Sequence, residues 1–307
     1  MVNNINLSII IPTKNRPEIL KQTLEQALIA IENTNVTVFV INDGEELKNK
    51  IEDQQIKYCS NPKTGVSSAR NYGASLANSN WLLFLDDDMW ISKQSVEAFK
   101  NIIKQDDSNS VYCLNWEYPK QLNKKLRNSK VGRYILNAAY NTMKGRISKN
   151  LVWNNAFEPI NGIGSGSLLI SKTIFNKVNG YNENIAFQGE DVDLSYKLKK
   201  NNLNIKTYTP ITCYHNQQDR LDIKGYLDRE YNGYVSQLNS EKVGYIHTIQ
   251  NLSDKKTAFY KMLIPFEPIF LFLFTLMPNI SLFDFISFRL IGILSSIQKV
   301  KAEKTIK

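Results

Sequence analysis

Five consecutive apolar residues, Trp81–Leu85, run directly into three aspartates, Asp86, Asp87 and Asp88. An uninterrupted apolar run of this length, bounded by polar residues, is typical of a strand that is buried on both faces of a parallel sheet. Ligands of such sheets bind beyond the carboxyl ends of the strands. The stretch therefore predicts a buried strand with a cluster of like charges at its end, which is either a solvated acidic turn or a cation site.

Strand and helix signals alternate through the first ninety residues. Apolar runs at residues 5–11, 36–41 and 56–59 predict three strands that precede the one at Trp81–Leu85. Pro17 suits the first turn of a helix after the first strand, and apolar side chains then recur at helical spacing. This alternation predicts an α/β fold in which a mostly parallel sheet is flanked by helices.

Polar residues follow three of these predicted strands. Pro12 and Thr13 end the first, Asp43 follows the second in an Asn-Asp-Gly turn, and the aspartate triplet follows the fourth. Because the carboxyl ends of parallel strands meet at one edge of a sheet, we expect these residues to lie close together. Neighbouring carboxylates raise one another's pKa, and a divalent cation relieves their repulsion. Mg²⁺ and Mn²⁺ take oxygen ligands, commonly one or two carboxylates together with substrate phosphates.

Small residues mark the second half of the chain. Residues 160–167 contain three glycines and two serines, so their backbone can approach a ligand closely. Ser171 is a predicted helix cap, and Ser67 or Ser68 is predicted to cap a helix in the first half that runs to about residue 77.

Acidic residues recur where a later helix begins. Glu190 and Asp191 follow a glycine and open an apolar pattern at helical spacing. Acidic residues are favoured in the first turn of any helix by its dipole, so the pair alone does not indicate a site. A strand is predicted at residues 204–208, with Cys213-Tyr214-His215 in the loop that follows.

The net charge of the chain is concentrated in one stretch. Thirty-eight lysines and arginines outnumber 29 aspartates and glutamates, a difference of +9. The segment between Tyr118 and Phe157 contains nine basic residues and no acidic one, so it equals the whole excess. Such a stretch is either a solvated basic surface or a surface that attracts an anionic partner, such as a membrane, a lipid pyrophosphate or a charged polymer. A basic surface alone does not indicate nucleic-acid recognition, and we expect no nucleic-acid partner.

The cysteines and the amino terminus bear on location. The chain has three cysteines, Cys59, Cys113 and Cys213, which are far apart and lack metal-binding spacing. An odd and sparse set favours a reducing compartment over a disulfide framework. The first residues show neither a basic segment nor a long apolar one, so we expect no signal peptide and a cytoplasmic location.

Six segments, taken in order along the chain, resemble the motifs of the family 2 inverting glycosyltransferases. They are SIIIPTKNRP at residues 8–17, VINDG at 40–44, GVSSARNYG at 65–73, WLLFLDDD at 81–88, FNKVNGYNE at 175–183 and GEDVDLSYKL at 189–198. Each segment is weak alone, but six in the family's order are a specific signal. The resemblance covers roughly residues 5–216. It implies the nucleotide-diphospho-sugar transferase (GT-A) fold and a hexosyltransferase-type activity.

The resemblance also implies roles for single residues in donor binding. Asp43 corresponds to the acid that recognises the uracil of the donor, and Arg70 to an arginine near the nucleotide and diphosphate. Asp86 would face the ribose and the metal, and Asp88 would ligate the metal directly. The further donor contacts that it implies are Pro12, Thr13, Asn15, Arg16 and Asp87.

Three more roles follow from the same resemblance. Asp191 corresponds to the general base, and Glu190 either supports it or holds the acceptor. His215 corresponds to a histidine that is a further metal ligand in some members. Asn42 departs from the family pattern because it stands where a first acid is usual, which leaves the selectivity for uracil open.

The implied reaction is the metal-dependent transfer of a sugar from a nucleotide donor, a UDP-sugar, to a saccharide acceptor, with Mn²⁺ or Mg²⁺ as cofactor. The alternatives are a sugar-nucleotide nucleotidyltransferase and a non-catalytic binding protein with a basic surface. The first should carry a glycine-rich basic signature after its first strand, where this chain has PTKNRPE. The second does not explain the aspartate triplet or the Glu-Asp pair. A dinucleotide-dependent oxidoreductase is disfavoured because no G-x-G-x-x-G follows the first strand.

The carboxyl-terminal part of the chain is apolar and ends in lysines. Residues 262–277 are almost entirely apolar, and residues 280–297 form a second apolar segment. We predict a GT-A catalytic domain at residues 1–225, with the nucleotide-binding part at about 1–90 and the acceptor part at about 91–225, and a helical region at 226–307. Aromatic residues, prolines and a basic end favour attachment of this region to the inner face of the cell membrane. A re-entrant pair, a packing element and a homodimer contact are the alternatives, and the attachment predicts a lipid-linked acceptor in bacterial surface polysaccharide synthesis.

Overall fold

The computed structural model describes residues 6–105, 108–140, 142–164, 166–185, 189–217, 221–242 and 252–306. Ile5, Ser165 and Phe187, which belong to predicted segments, lie outside the described residues. The chain forms two compact units, each discontinuous in sequence. The first unit comprises Met1–Glu117 and Leu151–Asn216, and the second comprises Tyr118–Asn150 and Gln217–Lys307. The domain division after residue 225 stays a prediction.

The secondary-structure elements alternate in the first unit and are helical in the second. The strands are β1 (Leu7–Thr13), β2 (Thr37–Asn42), β3 (Ile56–Ser60), β4 (Trp81–Leu85), β5 (Met89–Ile91), β6 (Ser110–Glu117), β7 (Phe157–Pro159), β8 (Ser167–Ser171) and β9 (Asn204–His215). The helices of the first unit are α1 (Pro17–Ala30), α2 (Val66–Leu76), α3 (Lys93–Gln105), α7 (Lys172–Lys177) and α8 (Glu190–Lys200). Those of the second are α4 (Lys120–Arg127), α5 (Lys130–Asn137), α6 (Met143–Ile147), α9 (Ile223–Lys242), α10 (Asp254–Leu263), α11 (Glu267–Leu276) and α12 (Asp284–Ile306).

The nine strands form one sheet in the order β3-β2-β1-β4-β8-β6-β9-β5, and β7 pairs with β9. The strands from β3 to β4 are parallel to one another. Beyond β4 the sheet is mixed, because β8 runs antiparallel to both β4 and β6, whereas β6 and β9 are parallel. The predicted α/β fold with helices around a central sheet is confirmed, and its parallel part is the half that holds the first four predicted strands.

Alternating side chains of β1 serve the two faces of the sheet. Ile9 and Ile11 are fully buried in the main core cluster, together with Leu20 and Leu24 of α1. Ile10 points to the other face, where a Cβ on Gly73 of α2 would lie 2.4 Å from its Cγ2 atom. The middle of the strand is therefore apolar on both faces, and α2 can pack this closely because it carries a glycine there.

The predicted start of α2 is wrong. The helix begins at Val66 after Gly65, whose φ of 126° is a conformation that glycine adopts without steric cost. Ser67 and Ser68 lie in the first turn, and their hydroxyls donate to Ile185 O and Asn61 Oδ1 instead of capping the helix. By contrast, Ser171 caps α7 as predicted, because its side chain accepts a hydrogen bond from Ile174 N.

The predicted loop at residues 213–215 is also wrong, because these residues form the end of β9. The cause is tertiary pairing that local sequence does not reveal. β5, a three-residue strand directly after the triplet, pairs antiparallel with this end of β9, and β6 pairs parallel with it through a bulge at Leu114 and Asn115. The predicted strand is therefore much longer than residues 204–208.

The second unit is a group of helices in which α12 has a buried face. Its buried apolar residues recur at helical spacing and are Leu290, Ile291, Leu294, Ile297 and Val300. Polar groups of α12 and its neighbours are paired inside the unit. Ser295 donates to Glu230 Oε2 of α9, and Lys301 forms an ion pair with Glu267 of α11.

Helices α10 and α11 expose apolar residues. The segments Asp254–Leu276 and Ser281–Thr305 are both long and apolar enough to cross a membrane by length and composition alone, with mean hydropathies of 1.5 and 1.3. Only 6% of the apolar window of the first segment is buried, against 39% for the second. Six large apolar residues that the first segment exposes recur every three or four positions. We call them the apolar row: Phe259, Met262, Phe266, Ile269, Phe272 and Leu276.

Two cations of the basic stretch bind the turn between the apolar helices. Lys130 Nζ donates to the carbonyl oxygens of Phe274 and Met277 at 2.5 and 2.8 Å, at the carboxyl end of α11. Arg133 forms an ion pair of 2.8 Å with Asp284. These two positive charges are therefore used within the second unit.

Candidate active site

The parallel strands bring several predicted residues to one edge of the sheet of the first unit. Thr13 at the end of β1 lies opposite Asn42 at the end of β2, and Asp43 N donates to Thr13 O at 2.8 Å. The triplet follows β4, which pairs with the other side of β1. The pairing of β1 with β2 and β4 therefore brings these strand ends together, as the sequence predicts.

Asp87, the middle aspartate, is buried and bonds to residues of β1, α1 and the loop between them. Its Oδ2 accepts a hydrogen bond from Thr13 Oγ1 at 2.8 Å, and its Oδ1 lies 2.5 Å from Arg16 Nη1. Its backbone oxygen accepts from Thr23 Oγ1 at 2.7 Å. Burial raises the pKa of Asp87 to about 7 against the opposing effect of Arg16, and the negative charge of Asp88 adds to the increase. Asp87 therefore ties β1 and α1 to the triplet.

Asp88 contacts the histidine that sequence reasoning placed in a loop. Asp88 Oδ1 lies 3.2 Å from His215 Nε2, and the pairing of Met89 with His215 fixes this approach. Asn216 N also donates to Asp88 O at 2.7 Å. Two neighbouring ligands of an octahedral Mg²⁺ or Mn²⁺ are about 3 Å apart, given metal–ligand distances of about 2.1 Å. The pair thus fits two positions of one cation.

The protein groups alone do not complete such a site. Among the described residues, no three histidine, cysteine, aspartate or glutamate side chains converge as a set able to hold a metal. Mg²⁺ in proteins keeps several waters and uses one or two carboxylates plus substrate phosphates, so a two-residue protein set fits a cation that arrives with a phosphorylated substrate.

Arg70 joins the triplet to the start of α8. Its Nη2 donates to Asp86 Oδ1 at 2.8 Å and its Nη1 to Glu190 Oε1 at 2.9 Å. The side chain of Asp86 is 38% exposed, whereas that of Arg70 is only 4% exposed. Burial opposes the charge of Arg70, but Tyr181, Asp86 and Glu190 together raise its pKa, so the guanidinium stays charged. Asp86 is therefore the most exposed member of the triplet.

Tyr181 and Asn71 support Arg70, and sequence reasoning did not assign them. The guanidinium of Arg70 lies over the ring of Tyr181 at 5.1 Å, and this ring packs edge-on against Phe84 of β4 at 5.3 Å. Asn71 pairs with the backbone of Tyr181 through two hydrogen bonds of 2.9 Å. The signal was present, because Asn71 lies in the GVSSARNYG segment and Tyr181 in FNKVNGYNE.

Asp43 lies in a separate polar cluster beyond β2. Its Oδ1 accepts from Asn61 Nδ2 at 2.7 Å and from Gly65 N at 3.1 Å, and its Oδ2 lies 3.1 Å from Lys14 Nζ. Asn15 follows Lys14 in the left-handed conformation, at φ 55°, and its Oδ1 accepts from Glu45 N at 2.9 Å. Pro12 is buried within β1. The loop after β1 and the loop after β2 are therefore held together.

The sequence profile of Glycosyl transferase family 2 matches residues 8–176, which is more than half of the chain. The chain belongs to glycosyl transferase family 2. It is 26% identical to a hyaluronan synthase of Pasteurella multocida over 274 residues, which are 80% of this chain and 28% of that protein. It is 30% identical to the glycosyltransferase GlyA of Streptococcus pneumoniae over 112 residues, 34% of this chain and 16% of that protein. The chain thus spans less than a third of the length of these relatives.

A solved structure supports the fold. The crystal structure of GalNAc-T7 with UDP, GalNAc and Mn²⁺ superposes with a TM-score of 0.50, at 14% identity, over 68% of this chain and 42% of that one. At this identity the likeness concerns the fold alone, and it agrees with the GT-A architecture expected from the motifs.

The other side of this family 2 site is formed by the start of α8. Glu190 and Asp191 lie in its first turn after Gly189, whose φ is 104°. Ser195, one turn later, donates to Asp191 O and accepts from Ile163 N at 2.9 Å. Glu190 is buried, and its Oε2 has no hydrogen-bond partner among the described residues. The glycine-containing loop before β8 is therefore anchored to the helix that carries both acids.

Proposed function

We propose that this chain is a metal-dependent inverting glycosyltransferase that transfers a sugar from a UDP-sugar to a saccharide acceptor. The observation that carries the proposal is the pairing of Asp88 with His215 beside an accessible Asp86, on the strand-end edge of a family 2 fold. GalNAc-T7, which shares the fold, was solved with UDP and Mn²⁺, and this supports the choice of donor and cofactor.

The proposed roles divide along the edge of the sheet. Asp88 and His215 would hold Mn²⁺ or Mg²⁺, which when bound supplies positive charge to the diphosphate of the donor. Arg70, kept charged and in place by Tyr181, adds a second positive charge close to Asp86. Asp43 is proposed to recognise the base. Thr13, with its neighbours Pro12 and Asn15, shapes the loop over which the nucleotide lies, and Asp87 holds that loop in place.

The chemical step needs one base and one leaving group. We assign the base to Asp191. Its carboxylate takes the proton of the acceptor hydroxyl while the oxygen of that hydroxyl bonds to the anomeric carbon. The bond from that carbon to the diphosphate oxygen breaks, and its electron pair leaves with the nucleoside diphosphate. A single displacement inverts the anomeric configuration. Glu190 Oε2, which is buried without a hydrogen-bond partner among the described residues, is available to hold a second acceptor hydroxyl.

The finer proposal is that the acceptor is a lipid-linked saccharide of a bacterial surface polysaccharide, and that the enzyme lies on the inner face of the cell membrane. The apolar row supports it, because six large apolar side chains between residues 259 and 276 are exposed. Lys255, Lys256 and Lys261 on α10 add positive charge next to this surface. The likeness to a hyaluronan synthase supports a saccharide acceptor.

One screen tests the reaction. Thermal unfolding and donor hydrolysis of the full chain are measured with a panel of nucleotide sugars, each with and without Mn²⁺. We expect UDP-sugars to stabilise the chain only when Mn²⁺ is present. Stabilisation by another nucleotide would correct the assignment of the donor, and stabilisation that is independent of metal would contradict the metal site.

A flotation assay tests the location. We expect the full chain to float with vesicles that contain anionic lipid more than with neutral vesicles, because lysines add about 1 kcal/mol each near an anionic surface. Deleting the chain from residue 250 is not a suitable control, because α12 contributes buried residues to the second unit. If the chain binds neither kind of vesicle and elutes as a dimer in size-exclusion chromatography, the apolar row is instead a contact between two copies.

A further inference from the structure

Arg16 spans two buried carboxylates of the triplet. Its Nη1 lies 2.5 Å from Asp87 Oδ1 and its Nη2 lies 2.9 Å from Asp88 Oδ2. The side chains of these aspartates are only 7% and 4% exposed, so each needs a charged or hydrogen-bonding partner. A guanidinium presents its donors in a rigid planar fork, which lets one side chain hold two carboxylates in a fixed relation.

Asp88 divides its two oxygens between different partners. Its Oδ2 faces Arg16, and its Oδ1 faces His215 Nε2 at 3.2 Å. Rotation of the carboxylate would break the contact with Arg16. The arginine contact therefore fixes the plane of the carboxylate, so that one of its oxygens is held toward the histidine.

The backbone that carries Arg16 is itself fixed. Asn15 before it adopts the left-handed conformation, and the carbonyl of Arg16 accepts the first helical hydrogen bond of α1 from Leu20 N at 3.0 Å. Asn15 Oδ1 accepts from Glu45 N, and a Cβ at Gly44 would lie 2.1 Å from that same oxygen. The side chain of Arg16 thus starts from a defined position at the end of β1.

We propose that Arg16 is a positioning residue for the cation site, which orients Asp88 Oδ1 toward His215 by bridging Asp87 and Asp88. The inference rests on the metal dependence in the proposed function and adds a role that the donor motif does not assign. It predicts that a lysine cannot replace this arginine, because a single ammonium group cannot reproduce the fork.

The test measures Mn²⁺ affinity of the full chain in the presence of UDP, because the two protein groups alone do not complete the site. Electron paramagnetic resonance of the free ion provides the measurement, and UDP without protein is the reference. The variants are Arg16→Lys and Arg16→Gln, with Lys93→Gln as the control, since Lys93 pairs with Glu32 on the exposed surface. Partners that orient metal ligands typically contribute about 10–100-fold to metal affinity. We expect both Arg16 variants to lose affinity in that range and the control to match the wild type. Thermal unfolding without metal establishes that each variant is folded.

The possible results distinguish a failure of the role proposed for Arg16 from a failure of the proposed metal dependence. Wild-type Mn²⁺ affinity in Arg16→Lys would overturn the inference, because positive charge alone would then suffice. Tighter binding in Arg16→Gln would also overturn it, because Arg16 would then compete with the cation. If Arg16→Gln does not fold, Arg16→Lys decides. A wild-type chain that binds no Mn²⁺ even with UDP present would overturn the metal dependence itself, whereas loss confined to the Arg16 variants supports the inference.

Discussion

The two units depart from the ordinary distribution of side chains in opposite ways. The first unit buries charge at the ends of its strands, where Arg70, Asp87 and Asp88 are all nearly inaccessible. The second unit exposes apolar residues, of which Leu282 is 81% and Met262 73% exposed. Buried charges and contiguous exposed apolar patches are both unfavourable for an isolated domain in water. Each accords with a partner named in the proposed function, a cation for the first unit and a membrane for the second.

The two units also differ in how their charged residues are paired. In the first unit the acids are paired with arginines, so the charges stay buried while one carboxylate, Asp86, remains open. In the second unit two acids of the apolar helices are paired inside the unit, Glu267 with Lys301 and Asp284 with Arg133. Because Glu267 is its one charged residue, this pairing leaves the outer side of α11 apolar, whereas α10 exposes lysines beside it.

The largest effect is expected at the buried charge. Asp88→Asn should weaken Mn²⁺-dependent binding of UDP by more than about a hundredfold, because even partners outside the metal shell contribute up to that amount. Titration calorimetry with and without Mn²⁺ measures the change. The aspartate follows the strand and does not belong to it, so the unfolding temperature should show that the variant folds. Unchanged affinity would remove Asp88 from the metal site.

The next effect separates the buried and exposed sides of the second unit. Leu294→Ala, at a fully buried position of α12, should lower the free energy of unfolding by about 2–5 kcal/mol. Leu282→Ala is the matched control, and at an exposed position it should change that energy by less than about 0.5 kcal/mol. Urea unfolding measures both variants. Equal losses would show that the apolar side chain of Leu282 is covered in solution.

The base is separable from the donor site. Asp191→Asn should reduce sugar transfer about a hundredfold while the affinity for UDP stays unchanged, because a general base acts on the acceptor proton. Single-turnover rates and UDP titration provide the two measurements. Glu190→Gln should behave differently, since Glu190 also holds Arg70 and its loss should alter donor affinity as well. Full activity of Asp191→Asn would move the base to another residue.

The smallest effect is expected at the apolar row. Phe266→Ser and Phe272→Ser should each weaken vesicle binding by at least about tenfold, because burying one phenylalanine contributes about 1.5–3 kcal/mol and each 1.4 kcal/mol is a factor of about ten. Their unfolding free energies should change by less than about 0.5 kcal/mol, since both side chains are exposed. Flotation and urea unfolding are compared for the same preparations. Vesicle binding equal to that of the wild type would argue that the row contacts protein.

Much of the first unit was predictable because its signals are local. Apolar runs fixed β1, β2 and β4, and helical spacing with Pro17 at the start fixed α1. The carboxyl ends of parallel strands lie on one edge of a sheet, so the proximity of Thr13, Asp43 and the triplet could be predicted from the sequence. The amino-terminal cap of α2 was not predictable in the same way. Gly65 occupies the cap position, and the hydroxyls of Ser67 and Ser68 bond to distant or neighbouring loops instead.

The sequence by itself determined the family, the α/β class and the edge on which the acids would gather, since each depends on residue order and strand direction. Only the tertiary structure decided which charges pair. The contacts of Arg16 with Asp87 and Asp88 span 71 and 72 residues, and that of His215 with Asp88 spans 127 residues, the difference between their positions. The same holds for the two apolar helices, which are alike in composition but differ in burial. The physical reason is that burial and ion pairing depend on distant neighbours, which composition and periodicity do not specify.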